Sequence, residues 1–466
     1  MAVTNSAPLT LAECLDLAYA NNLSHLSDFQ SLAHSREALH RARAPYELNA
    51  NASLVAPSFT EERDTFENPA LLTRFQEENT SFRYQGNVQL SRRVRNIGEF
   101  SITTFGFRSD FSSNRRQDVL EYLGDVRFGY EQDIFSDSEE DIQLKQAELS
   151  LAMDRSHYER QRLQLTSQVT NTYYDLVQSI RQLEIQEQRV EQSRVGLDLA
   201  QRKYEIGLLA EVEALRLEVE KLRSEADYAQ TATEIESRRD ILRQLVGLEM
   251  TVPLEVITEV HSDMREIDDS RAIEIALRRR TDMREVEIRK RVSELDVDIT
   301  QQQVGPSAMF NASMSLRGRG EAPEDIGRNF ERNLVTARID MQFPLLDGGE
   351  RSGLVRQAEI NLEQSRLNQK QVRQTVIRDV REAVRSLREA ERQIQLRQAA
   401  LDVAQRTFEV ERSRFELGLA DSQQLLDAQT ELTSERTDAL NALITYPRAL
   451  QDMQLATMAD LSELAP

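Results

Sequence analysis

Apolar positions recur every seven residues along two long stretches of the chain. They run Val169, Leu176, Leu183, Val190, Leu197, Tyr204 in one and Val380, Leu387, Ile394, Leu401, Phe408, Phe415 in the other. The stretches align without a gap at an offset of 211 residues, with Leu144-Lys-Gln-Ala-Glu-Leu-Ser-Leu151 over Val355-Arg-Gln-Ala-Glu-Ile-Asn-Leu362. Tyr204-Glu-Ile-Gly-Leu208 likewise lies over Phe415-Glu-Leu-Gly-Leu419. Sustained sevens predict coiled-coil packing, so helical hairpins are expected over 138–247 and 349–458, with tips near Gly207 and Gly418. At 1.5 Å per residue the first arm would be roughly 100 Å long. The step of four from Leu165 to Val169 is a stutter that relaxes supercoiling locally.

The rest of the chain is also written twice. Thr10-Leu-Ala-Glu13 has the form of a capping box and predicts a helix over 10–43, ended by Pro45. Alternation then predicts strands at about 47–55, 82–94, 99–111 and 124–135, with a polar loop containing Pro57 and Pro69 after the first. In the third strand the apolar residues move from Phe100 and Ile102 to Phe105, Phe107 and Phe111, which predicts a bulge near Thr103-Thr104. Residues 248–270 read as a connection. A second helix follows over 271–304, stopped by Gly305-Pro306, then strands at about 307–317 and 334–344, and finally a tail, 459–466. Gly318-Arg-Gly320 reads as a strand-end loop. The chain is thus two structural repeats, 1–247 and 271–458.

Strands of about ten residues with a strict two-residue alternation match transmembrane β-strands. A soluble sandwich has no reason to be interrupted by two such rods, whereas a barrel that continues as a helical tube needs that order. The fold class expected is mostly α with β: duplicated long helical hairpins plus strands that contribute to a barrel.

Charge and candidate chemistry narrow this further. The 79 acidic against 58 basic residues give a net charge of −21, which argues against nucleic acid or an anionic membrane surface as partner. No run of 18 apolar residues suggests a membrane helix, and Met1–Pro8 lacks the regions of a signal peptide, so the chain is either cytosolic or numbered after removal of a signal. The single Cys14 sits in an apolar helical pattern and reads as a packed thiol, with no disulfide framework, metal knuckle or lipid anchor. His34 and His40 lie six apart, and His25, His157 and His261 are isolated. No metal, phosphate-loop or catalytic motif appears, so neither an enzyme nor a cofactor is expected.

Leu9-Thr-Leu-Ala-Glu13, Phe343-Pro-Leu-Leu-Asp-Gly-Gly349 and the paired Tyr204-x-x-Gly207 and Phe415-x-x-Gly418 turns, in this order within a duplicated chain, resemble the TolC-type outer-membrane channels of bacterial efflux and type I secretion. The resemblance implies a homotrimer in the outer membrane of a Gram-negative bacterium. Strands of three chains would close one barrel in lipid, and twelve helices would form a periplasmic coiled-coil tunnel meeting a periplasmic adaptor and inner-membrane pump. Such a duct conducts passively. Closure has a physical basis, because lipid leaves no water for an open sheet edge. Where the family has two strands in each half, this chain has four and two: either the barrel has 18 strands rather than 12, or a hairpin lies outside it.

The family's closed end is held by an Arg two residues after the second Gly and by Asp residues six and nine after it. Those positions are Ala420, Gln424 and Asp427 here, so only the last is retained. The first copy offers Glu213 and Arg216 at the matching positions, and a rearranged contact of Arg216 with Asp427 or Asp421 is one alternative to the family's lock. Gly207 and Gly418 are expected to shape the turns, and Tyr204 and Phe415 to pack. The rival reading is a periplasmic adaptor or scaffold with a soluble β module.

Overall fold

The computed structural model describes residues 8–68, 73–114, 117–260, 267–328, 330–459 and 463. The chain divides into two compact units, each drawn from both sequence repeats. One comprises Met1–Leu32, Met153–Glu287 and Leu367–Pro466, the other Ala33–Ala152 and Ile288–Arg366.

The first repeat contributes helices α1 (Leu11–Asn21) and α2 (Leu23–Arg43), strands β1 (Asn49–Asn68), β2 (Thr73–Val94), β3 (Gly98–Ser113) and β4 (Val119–Asp133), then helices α3 (Glu139–Glu205) and α4 (Glu211–Val246). The second contributes α5 (Asp269–Arg279), α6 (Thr281–Val304), β5 (Ser307–Gly320), α7 (Pro323–Arg328), β6 (Glu331–Gln342), α8 (Glu350–Glu416) and α9 (Ser422–Thr457). The arms match: α3 and α8 have 67 residues each, α4 and α9 have 36 each.

In the helical unit, the Thr10 side chain accepts from the Glu13 amide while the Glu13 carboxylate accepts from the Thr10 amide, and this closes the α1 capping box. The expected continuous helix over 10–43 is broken at Asn22, which has extended backbone. Its amide side chain donates to the Leu245 carbonyl (2.8 Å) and accepts from the His25 amide (3.0 Å), so it stops one helix and caps the next. Arg280 makes the equivalent break between α5 and α6. Two cores carry the repeat: Cys14, Ala18, Val169, Leu176, Val177 and Leu242 in one, Ala272, Ala276, Val380, Val384, Leu387 and Met453 in the other. Cys14 is fully buried, and burial with the neighbouring Glu13 charge pushes its thiol up to about 12. Among the described residues no helix is long and apolar enough to cross a membrane.

The second unit holds one antiparallel sheet in the order β1-β2-β3-β4-β5-β6. Its strands outrun the expected bounds. β1 continues through Pro57, where the register to β2 shifts between Val55 and Ser58, because an edge strand tolerates a residue without an N–H at an irregularity. Pro69 lies outside the described residues. Gly318 and Gly320 belong to β5 rather than to a loop, and the close approach of α7 explains the first: a Cβ at Gly318 would lie 2.2 Å from the Ile326 carbonyl oxygen.

The bulge at Thr103-Thr104 is absent. β3 keeps an unbroken register from Gly98↔Val94 to Ser113↔Asn79 on one side and from Glu99↔Glu131 to Phe111↔Val119 on the other. Phe100 and Ile102 therefore share one face, and Phe105, Phe107 and Phe111 the opposite one.

That sheet is inside out. Along β3 the face bearing Phe100 and Ile102 is the open one and its opposite is half-covered. Phe100 is 49% exposed, whereas Asp125, on the opposite face of β4, is 6% exposed. Leu54, Val88, Phe128, Met314, Val335 and Ile339 join the exposed apolar face, and Arg93 and Ser315 the covered polar one. A fold that buries its apolar surface against itself does the reverse.

Candidate functional site at the hairpin tips

Each hairpin turns through a Schellman motif. The Gly207 amide donates to the Tyr204 carbonyl (2.8 Å) and the Leu208 amide to the Lys203 carbonyl (2.8 Å). The Gly418 amide donates to Phe415 (3.0 Å) and Leu419 to Arg414 (2.8 Å) in the same way. Both glycines take the left-handed conformation, with φ of 71° and 78°, which the motif requires and a side chain resists. Ile206, Leu208, Leu417 and Leu419 are exposed at the turns.

The expected seam residues part company here. Phe415 is fully buried in a cluster with Leu217, Phe408, Leu425 and Leu432, whereas Tyr204 is 45% exposed. Beside Phe415 stands a residue that no sequence pattern marks. Lys203 lies buried with its ammonium 4.7 Å from the centre of the Phe415 ring, and it donates a hydrogen bond to the Phe415 carbonyl. A cation here meets both the ring quadrupole and the negative end of α8. A second link joins the hairpins where the Ser422 hydroxyl donates to Glu213. Neither contact follows the seven-residue period, so alignment of the repeats gives no signal for it.

The remaining candidates form local contacts. Arg216 pairs with Glu213 on its own helix at 3.1 Å, and Asp427 accepts from Gln423 (2.8 Å). Asp421 is the N-cap of α9 and forms a capping box with Gln424. Within one chain, then, the described contacts of Arg216, Asp421 and Asp427 do not join these residues to one another. Ala420 packs at the edge of the tip cluster.

The family model for outer membrane efflux proteins matches residues 110–248 and 272–457, which take in both long hairpins. The chain belongs to this family. As an outer membrane efflux protein it is an efflux channel of the Gram-negative outer membrane. The fold agrees with solved outer-membrane proteins at low sequence identity. VceC from Vibrio cholerae superposes with a TM-score of 0.70 at 15% identity, covering 96% of this chain and 95% of that one. The CmeC outer membrane channel of Campylobacter jejuni gives 0.71 at 15% identity, covering 96% and 85%. CusC, whose structures were described for transmembrane channel formation, gives 0.70 at 14%, covering 96% and 91%. No curated protein sequence matches the chain. The family and these structural neighbours are channels rather than enzymes.

Proposed function

We propose that three copies of this efflux protein close one barrel in the outer membrane and conduct solutes passively from a periplasmic adaptor and inner-membrane pump. The single observation that carries this reading is the inverted sheet, whose open face is apolar and whose covered face is polar. Lipid is the solvent in which such a face is stable, and water in a lumen suits the other. The edges support the trimer. β1 and β6 end the sheet, every residue of β6 is exposed, and strands β1 to β6 alternate in direction. The β6 edge of one copy therefore meets the β1 edge of the next antiparallel, and the ring leaves no unpaired edge in lipid.

Six strands from each of three chains give an 18-stranded barrel. The β1–β2 hairpin belongs in the wall because its ladder to β3 runs the full length of that strand and its apolar face continues the sheet's. Barrel diameter grows roughly linearly with strand number, so the lumen would be about half as wide again as one of 12 strands.

At the hairpin tips, rings of residues would form the gate, with Lys203 on Phe415 and Glu213 on Ser422 holding the two hairpins of a protomer together. Asp427 and Asp421 would add threefold acidic rings that favour cations. The exposed Ile206, Leu208, Leu417 and Leu419 would meet the adaptor.

Purified protein in detergent should run as a trimer by light scattering and give discrete conductance steps in a planar bilayer, with reversal potentials of a cation-preferring pore. A trimer that never conducts, even after Lys203→Ala and Glu213→Ala loosen the tip, would defeat the channel reading. Recovery of the folded chain in the soluble fraction without detergent would support a scaffold instead.

A further inference from the structure

The uninterrupted register of β3 has placed three phenylalanines on the face where polar residues dominate. Reading across the sheet, one row is Gln85, Phe107, Leu123 and Arg319, and the next is Asn87, Phe105, Asp125 and Arg317. The Phe105 and Phe107 rings lie 5.9 Å apart, and Leu123 is buried beside them. The Arg83 guanidinium stands 5.6 Å from the centre of the Phe107 ring. The surrounding charges are ordered: Arg317 pairs with Asp125 at 3.0 Å and Arg319 with Glu121 at 2.8 Å. Among the described residues this leaves the Arg83 charge in surplus beside the patch, a local exception in a chain of net charge −21.

Phenylalanine in a water-filled lumen gains nothing from lipid, and its half-covered rings keep a face available. On the same face of β3, Thr103 and Ser101, two and four positions before Phe105, are polar, as a channel wall requires. We propose that Phe105, Phe107 and Leu123, with Arg83, form a sorting subsite inside the channel for aromatic solutes that carry an anionic group. The rings offer stacking and the guanidinium takes the anion. Three copies would set three such patches around one level of the pore. Weak, repeated contacts of this kind let a solute enter and also leave.

This inference rests on the reading of the covered face as the lumen, and the experiment separates the two. In planar bilayers, 1-naphthalenesulfonate added to wild-type channels should produce transient block, while methanesulfonate at equal concentration should not. Phe105→Ala with Phe107→Ala should shorten the blocked dwell time on the order of tenfold, the loss of about one to two ring contacts per solute. Phe107→Trp should preserve the block. Arg83→Gln should weaken block by 1-naphthalenesulfonate but leave block by neutral 1-naphthalenemethanol unchanged, a split that a merely structural arginine would not give. Phe100→Ala, on the opposite face, should change nothing. If the double alanine variant does not assemble, Phe105→Leu with Phe107→Leu removes the rings at similar volume. Conductance without naphthalenesulfonate block, or block that survives loss of both rings, overturns the subsite and leaves the channel standing. Absence of any conductance, also after Lys203→Ala and Glu213→Ala loosen the tip, removes both.

Discussion

The two hairpin tips start from nearly the same sequence and end in different states. Tyr204-Glu-Ile-Gly207 and Phe415-Glu-Leu-Gly418 make the same backbone turn, with the same two hydrogen bonds and the same left-handed glycine. Yet Phe415 is a core residue, and Tyr204 stands half in solvent. The difference comes from the partner hairpin: Lys203 of the first copy reaches across to the second, while its equivalent, Arg414, pairs with Glu411 on its own helix at 2.7 Å. A repeated sequence thus fixes the turn locally, and a few non-equivalent side chains decide which copy is clamped.

The largest break in this comparison should come from the rings. Phe415→Ala removes a fully buried side chain and should cost about 3–5 kcal/mol of local packing. Tyr204→Ala should cost less than about 1 kcal/mol, because a substitution at so exposed a position touches little packing. Hydrogen exchange of the tip amides reads this directly as local opening free energy. Equal losses at the two positions would mean that Tyr204 is covered in the assembly and that the contrast belongs to the single chain alone.

The lysine comes next. Lys203→Met keeps most of the stem's packing but deletes the hydrogen bond to the Phe415 carbonyl and the cation over its ring, and should raise exchange in the second tip by about 1–2 kcal/mol. Arg414→Met should cost about 0.5 kcal/mol or less, since exposed pairs within one helix contribute little. If Lys203 is part of the gate, its loss should also increase the open fraction of single channels. Unchanged gating with faster exchange would make it a structural clamp only.

How much of this was legible follows from the kind of interaction involved. The seven-residue period located both hairpins because burial in a seam repeats with the helix, and Val169, Leu176, Val380 and Leu387 are indeed core residues. The Thr10 cap was equally plain, being a contact between near neighbours. The helix break was not, because Asn22 is fixed by the Leu245 carbonyl 223 residues away. β3 misled for a different reason. A rule that puts apolar residues on one face forces a bulge when Phe105 and Phe107 change sides, but the ladder runs on unbroken and carries both rings to the half-covered face. The tip contacts Lys203–Phe415 and Glu213–Ser422 are long-range and non-periodic, and only the fold reveals them.

Helix starts sharpen the comparison at a smaller scale. α9 begins with the Asp421–Gln424 capping box, whereas its counterpart α4 has Ala210 at the N-cap and no side-chain cap. Asp421→Ala should therefore destabilise the second tip by about 1 kcal/mol, and Ala210→Asp should stabilise the first by a similar amount. The pair of variants tests whether the missing cap or the missing clamp contributes more to any difference in exchange between the tips. If Ala210→Asp slows exchange at the first tip to the level of the second, the cap is the greater cause.

The smallest effect lies where the copies differ in a titratable group. His25 is buried, stacks on Tyr158 with ring centres 5.3 Å apart, and has its Nε2 3.2 Å from the Tyr158 hydroxyl. The second copy has Met283 at the equivalent distance from its helix break and Gln369 in place of Tyr158. Burial holds the imidazole below its ordinary 6.5; nearby Asp28 pulls it upward, and Arg162 pushes it down. The folded state thus binds the proton less readily than the unfolded chain. Its contribution to stability is complete above the unfolded value of about 6.5 and is lost progressively as the pH falls below it toward the depressed folded value. Acidification should speed exchange around α2 and the middle of α3 before it touches α6 and α8. His25→Met, which writes the second copy's residue into the first, should flatten that pH dependence. If the first copy loosens equally in acid with methionine in place, a carboxylate rather than this histidine governs the response.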